Sequence, residues 1–137
     1  MNKMTIREIY KCNYIEDDGK LYPLQKWYNR LIDKNISEIN IADVLKMIRQ
    51  KESIELAILK AIEFLKRDPL VGELYEGELL KKLYTIDEIN LHDHYNDIQL
   101  ILSKAIIHSN NYKWLCKEEK EEFNDLINKF MDKINNK

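Results

Sequence analysis

The sequence predicts an all-α fold, a single-domain bundle of six or seven helices with two central apolar helices. Three observations carry this reading. The 137 residues include only three glycines and two prolines, too few turn-formers for a sheet or a barrel. Apolar residues recur every three or four positions along most of the chain, which is the helical period. Composition is 45% hydrophobic and 34% charged, the balance of a globular chain long enough to enclose one core.

Thr5 to Tyr14 reads as a short first helix with Ile6, Ile9 and Tyr10 on one side, closed by a turn at Glu16-Asp17-Asp18-Gly19. Leu24 to Asp33 reads as a second, with Leu24, Trp27, Tyr28 and Leu31 at helical spacing. Asn40 is a good N-cap for a third helix, because Asp43 follows three residues on in a near capping-box arrangement. Its inner stripe is Ile41, Val44, Leu45 and Ile48. Ser53 is expected to cap a fourth helix running to Lys66 or Arg67. That helix is apolar on more than one side (Ile54, Leu56, Ala57, Ile58, Leu59, Ala61, Ile62, Phe64, Leu65), the pattern of a central helix.

Glu78 to Tyr84 gives a short fifth helix, and Asp87 to His108 a long sixth, with Leu91-His92 the place where it would break. Its second half is again apolar nearly all round, through Ile98, Leu100, Ile101, Leu102, Ala105, Ile106 and Ile107. Asn110-Asn111 interrupts the pattern. The last helix spans about Lys117 to Ile134 on a stripe of Phe123, Leu126, Ile127, Phe130, Met131 and Ile134. Glu118, Glu119, Glu121 and Glu122 crowd its first turns, where the helix dipole favours negative charge. The lysine- and asparagine-rich tail is expected to fray.

The connection between the fourth and fifth helices is the most informative stretch. Asp68-Pro69 stops the helix, since proline lacks an amide hydrogen and disfavours helix in the residue before it. Gly72 and Gly77 punctuate the loop. Asp68, Glu73, Glu76 and Glu78 bring four carboxylates with no lysine or arginine among them. From Asp68 to Gln99 eight acids, including Asp87, Glu88, Asp93 and Asp97, stand against Lys81 and Lys82; the local charge is −6 and the remainder of the chain carries +4. Such asymmetry steers a basic partner and repels nucleic acid.

The spacing Asp68-Pro69-Leu70, Gly72, Tyr75, Gly77, Glu78, Leu79-Leu80 resembles the all-helical immunity proteins of bacterial contact-dependent growth inhibition (CDI) systems. The segment Ile39-Asn40-Ile41-Ala42-Asp43-Val44-Leu45, leading through Ile48 to Gln50, fits the same pattern, so the resemblance covers roughly residues 36 to 84. The chain departs from it where Leu70 and Gly72 stand one residue closer together, where Glu76 replaces a usual proline, and where Lys51-Glu52 replaces a more apolar turn. The resemblance implies a binding protein, whose partner is the C-terminal toxin domain of a CDI effector, most often a nuclease. On that basis the candidate toxin-binding residues are Asp68, Glu73, Tyr75, Glu76, Glu78, Asp87, Glu88 and Asp93. Tyr75 joins the set because tyrosine combines large apolar area with a polar tip, which suits interface anchors.

Other constellations point away from chemistry. His92 and His94, two apart on a helix, project to opposite sides and do not share an ion. Cys12 and Cys116 are too far apart in sequence for a disulfide framework or zinc site, and are expected to be small, partly buried side chains. Trp27 and Trp114 are expected in the core. The chain shows no glycine-rich phosphate loop, nucleophile elbow or paired catalytic carboxylates, so no enzyme activity, cofactor or small-molecule substrate is expected. It has no apolar run long enough to span a bilayer, and Met1-Asn2-Lys3-Met4 is followed by charged residues, which leads to the expectation of a cytoplasmic protein without membrane contact. The rival reading is a helical regulatory or nucleic-acid-binding module. The scatter of Lys46, Arg49, Lys51, Lys60, Lys66, Arg67, Lys81 and Lys82 forms no recognition helix and disfavours it.

Overall fold

The computed structural model describes residues 4–16 and 19–135. Asp17 and Asp18 of the expected turn, the first three residues and the last two of the tail lie outside that range. Among the described residues the regular structure is all helical, apart from one isolated antiparallel bridge between Thr5 and Asn35. Eight α-helices follow in order: α1 (Ile6–Tyr10), α2 (Pro23–Ile32), α3 (Ile41–Gln50), α4 (Ile54–Arg67), α5 (Glu78–Tyr84), α6 (Glu88–Leu91), α7 (Tyr95–Asn111) and α8 (Lys117–Asn135). A 3₁₀ turn at His92–His94 joins α6 to α7, so the expected long sixth helix is broken where Leu91-His92 suggested. Packing divides the chain into two compact units, Met1–Asp43 and Val44–Lys137.

In the first unit, Thr5 and Glu8 form a capping box at the start of α1. This helix is shorter than its expected span to Tyr14, because Lys11 turns left-handed (φ 54°) and its own amide closes back on the Arg7 carbonyl. Only Ile6 of the expected stripe is buried; Ile9 and Tyr10 are exposed. α2 starts one residue earlier than expected, with Pro23 at the first helical position, where its missing amide hydrogen costs nothing. Leu31 and Ile32 are its buried residues, and Leu24 is exposed. The Asn40–Asp43 capping box is present in both directions, at 3.1 and 2.8 Å. Asp43 also holds Lys34 at 2.6 Å.

In the second unit, α4 packs against α5, α6 and α7, and α7 packs against α8. Leu56, Ala57, Ile58, Lys60, Ala61, Ile62 and Leu65 are buried on α4, a span of roughly 240° around the axis at 3.6 residues per turn. That agrees with a central helix. α7 differs from its expectation. Ile98, Ile101, Leu102, Ala105 and Ser109 make a single inward stripe, while Leu100, Ile106 and Ile107 are exposed. The apolar residues exceed what the neighbouring helices cover.

Ser53 does not cap α4 with its side chain. It sits at φ 49°, where the hydroxyl cannot adopt the extended-backbone geometry of an N-cap, and only its carbonyl engages, accepting from the Ala57 amide at 2.9 Å. The C-terminus of α5 is finished from α8. The Lys133 ammonium donates to the Tyr84 carbonyl and, at 2.7 Å, to that of Ile86. Desolvation there holds its pKa below the ordinary lysine value, opposed by the nearby Glu88 and Asp87 carboxylates.

Candidate functional site

The loop between α4 and α5 is closed by its own backbone. Asp68 accepts from the Leu70 amide at 3.0 Å, and its carbonyl accepts from Val71 at 3.1 Å. The Gly77 amide reaches the Leu70 carbonyl at 2.7 Å, and Leu79 reaches that of Val71 at 3.1 Å. One Glu78 oxygen then accepts two amides across the loop, Glu73 at 2.7 Å and Leu74 at 2.9 Å. Charge-assisted bonds of this kind are about twice as strong as neutral ones. Pro69, Leu70, Leu79 and Leu80 are buried beneath.

Both glycines are required by close approach. A Cβ at Gly72 would stand 2.1 Å from the Tyr75 carbonyl oxygen and 2.7 Å from the Glu78 Cβ. Gly77 lies at φ 85°, and a Cβ there would meet the Phe123 ring at 2.6 Å. Each landmark of the Asp-Pro-Leu, Gly, Tyr, Gly, Glu, Leu-Leu pattern therefore has a structural task.

That tasking separates the candidate residues. Glu78 is 6% exposed and faces loop amides; it holds the loop and leaves the surface set. Asp68 is exposed, but one oxygen is occupied by the Leu70 amide. Glu73, Tyr75 and Glu76 form an exposed crown with Leu74, which is 83% exposed. The downstream acids are not part of it. Asp87 lines a separate hollow with Arg49, Lys51 and Lys82, Glu88 acts on Lys133, and Asp93 pairs at 3.6 Å with His92. Asp97 is held by Lys66 at 2.9 Å. The −6 stretch is therefore divided among several local partners and makes no single negative face.

What adjoins the crown comes from α8. A groove of about 800 Å³ is lined by Tyr75, Glu76, Lys81, Tyr84, Trp114, Glu119, Glu122, Phe123, Asp125 and Leu126, among others. Its aromatic wall is fixed. Trp114 donates from its indole to the Ser109 carbonyl at 2.9 Å and contacts the Tyr112 and Phe123 rings at centroid distances of 4.8 and 5.6 Å. Trp114 is thus only partly buried, between core and surface. The Tyr112 phenol is held above its ordinary pKa by desolvation first, then by the field and hydrogen bond of Glu76, with smaller contributions from Glu119 and Asp68.

Sequence reasoning assigned the α8 acids to the helix dipole and missed this groove. The available signal was the spacing Glu119, Glu122, Leu126 and Lys129, which shares one helix face. Cys116 is exposed, contrary to expectation, because it lies in the connection before α8; Cys12 is partly buried as expected. His94 is committed to Glu55 at 2.8 Å, and among the described residues no group of three metal-ligating side chains converges.

The sequence model of the CDI immunity proteins matches residues 8–101. The chain belongs to this family. The match extends beyond the loop pattern to most of both units, while the curated proteins include no match. Membership gives this immunity protein its activity, neutralisation of a cognate CDI toxin. Among the described residues no helix is long and apolar enough to cross a membrane.

Proposed function

We propose that this immunity protein binds the C-terminal toxin domain of its CDI effector one-to-one in the cytoplasm and occludes the toxin's active site or substrate groove. It performs no chemistry itself, and no cofactor, nucleic acid, membrane or small-molecule substrate enters the interaction. The supporting observation is the crown of Glu73, Tyr75 and Glu76, presented by a loop whose backbone is tied at both ends. A nuclease is the toxin class this surface suits. Its groove is basic because it holds phosphates, and exposed carboxylates take their place with complementary charge. Glu73 and Glu76 lead this role, with Asp68 beside them; Asp87, Glu88 and Asp93 lie on other parts of the surface and would serve a toxin large enough to reach them.

Association kinetics test the reading. Exposed charges act over about 10 Å at 0.1 M salt and less at higher salt. Stopped-flow mixing with the cognate toxin domain is expected to show association slowing at least about tenfold between roughly 50 and 500 mM salt. Dissociation is expected to change less, since buried anchors dominate it. An association rate flat within about twofold rules out charge-led capture and leaves an apolar contact made elsewhere.

A further inference from the structure

The groove beside the crown holds a more specific chemistry than negative charge. Its wall is aromatic, from Tyr75, Tyr84, Trp114 and Phe123, and its rim carries Glu76, Glu119, Glu122 and Asp125 against Lys81 and Lys129. None of those four carboxylates has an ion-pair partner among the described residues. The Lys81 ammonium already lies 5.9 Å from the Tyr75 ring centroid, so the α5 side of the groove is supplied with a cation. Lys129 lines the groove two turns further along α8, and no cation lies within ion-pair distance of Glu119 or Glu122 beside Trp114 among the described residues.

We infer that this groove receives an arginine-bearing segment of the toxin, the guanidinium lying against the aromatic wall and meeting Glu119 and Glu122. This rests on the toxin-binding reading above and specifies its partner chemistry. Arginine suits the groove better than lysine. Its planar, weakly hydrated head both stacks on aromatic faces and presents a fork of donors to carboxylates, whereas an ammonium is a compact, strongly hydrated point charge. The exposed Leu74 and Leu115 add apolar contact for the flanking residues of such a segment.

α8 itself supplies the control. Glu119 and Glu122 line the groove, while Glu118 and Glu121, on the same turns, do not. Glu121 makes only an exposed pair with Lys117 at 3.7 Å, which contributes little. The pairs E119Q/E122Q and E118Q/E121Q therefore change net charge equally at exposed positions and differ only in the groove. Calorimetry with the purified toxin domain at moderate salt is expected to show about tenfold weaker binding for the groove pair and a change within about twofold for the control pair. Equal loss from both pairs, or none from either, overturns the inference while leaving toxin binding intact. A wild-type chain that fails to bind the toxin overturns the proposed function and the inference together. In the toxin, exchanging each arginine for lysine is expected to reproduce the loss at one position; tolerance at every position overturns the choice of arginine.

Discussion

Asp68 and Glu78 turn their carboxylates onto backbone amides, whereas Glu73 and Glu76, between them in the same loop, are exposed side chains, Glu76 reaching only the Tyr112 phenol. The floor of the loop (Asp68, Leu70, Gly72, Gly77, Glu78) and its crown (Glu73 to Glu76) thus use one residue type for opposite ends. The floor fixes a shape; the crown is the surface we propose a partner meets. Residues that define the family pattern belong largely to the floor, and only Tyr75 belongs to both, its carbonyl accepting from the Glu78 amide at 3.3 Å while its side chain is 45% exposed. The landmark spacing can therefore build the loop, while on the proposed reading the contact with a partner falls to the residues between the landmarks.

The comparison is broken most severely at Gly72. Gly72→Val places a side chain into the Tyr75 carbonyl, and overpacking of that kind is expected to cost about 3 kcal/mol, read as a large fall in the thermal midpoint. Toxin binding would fall with it. A midpoint within a degree or two of wild type would mean the loop opens easily and its floor is not a floor.

Glu78→Ala comes next. It leaves the Glu73 and Leu74 amides without their acceptor, which is expected to cost about 2 kcal/mol of stability. Denaturant unfolding measures the loss, and Glu78→Gln, which keeps one acceptor oxygen, is expected to lie between the alanine variant and wild type. Similar stability for all three would assign Glu78 to the crown after all.

The smallest effect is a titration. Because the Tyr112 pKa is raised in the folded protein, its neutral form is the favoured one there. Its contribution to stability is present below the unfolded tyrosine value of about 10 and is lost as pH rises through the higher folded value. Ultraviolet difference titration is expected to place Tyr112 above an ordinary tyrosine, with Tyr112→Phe identifying its signal. Glu76→Gln should lower that value towards normal, since desolvation remains and only the Glu76 field is removed. No response would separate Tyr112 from the crown.

Much of the fold was legible because helix ends carry local chemistry. Asn40 with Asp43, the Asp68-Pro69 stop and the Glu78–Tyr84 segment depend on residues close in sequence, and the structure places them as read. Ser53 was misread because capping depends on backbone dihedrals as well as residue type, and a left-handed residue there disables the hydroxyl. α7 was over-read because apolar periodicity counts candidates for burial without showing which ones a neighbour covers; Leu100 and Ile107, seven apart on one face, stay exposed. The exposure of Glu73, Tyr75 and Glu76 was legible, because they lie in a short loop between two glycines. Glu78 and the α8 acids were not, since their roles come from loop closure and from residues some 40 positions downstream.

The division between floor and crown is tested most directly by one pair of substitutions, Glu73→Lys with Glu76→Lys, measured for both stability and toxin affinity. Exposed charge changes of this kind are expected to leave stability within about 0.5 kcal/mol. Calorimetry against the toxin domain at moderate salt is expected to show binding weakened by about a hundredfold, from like charge placed against a basic surface. Unchanged affinity with an unchanged melting transition would contradict the crown as the contact surface. A lost melting transition would contradict its separation from the floor.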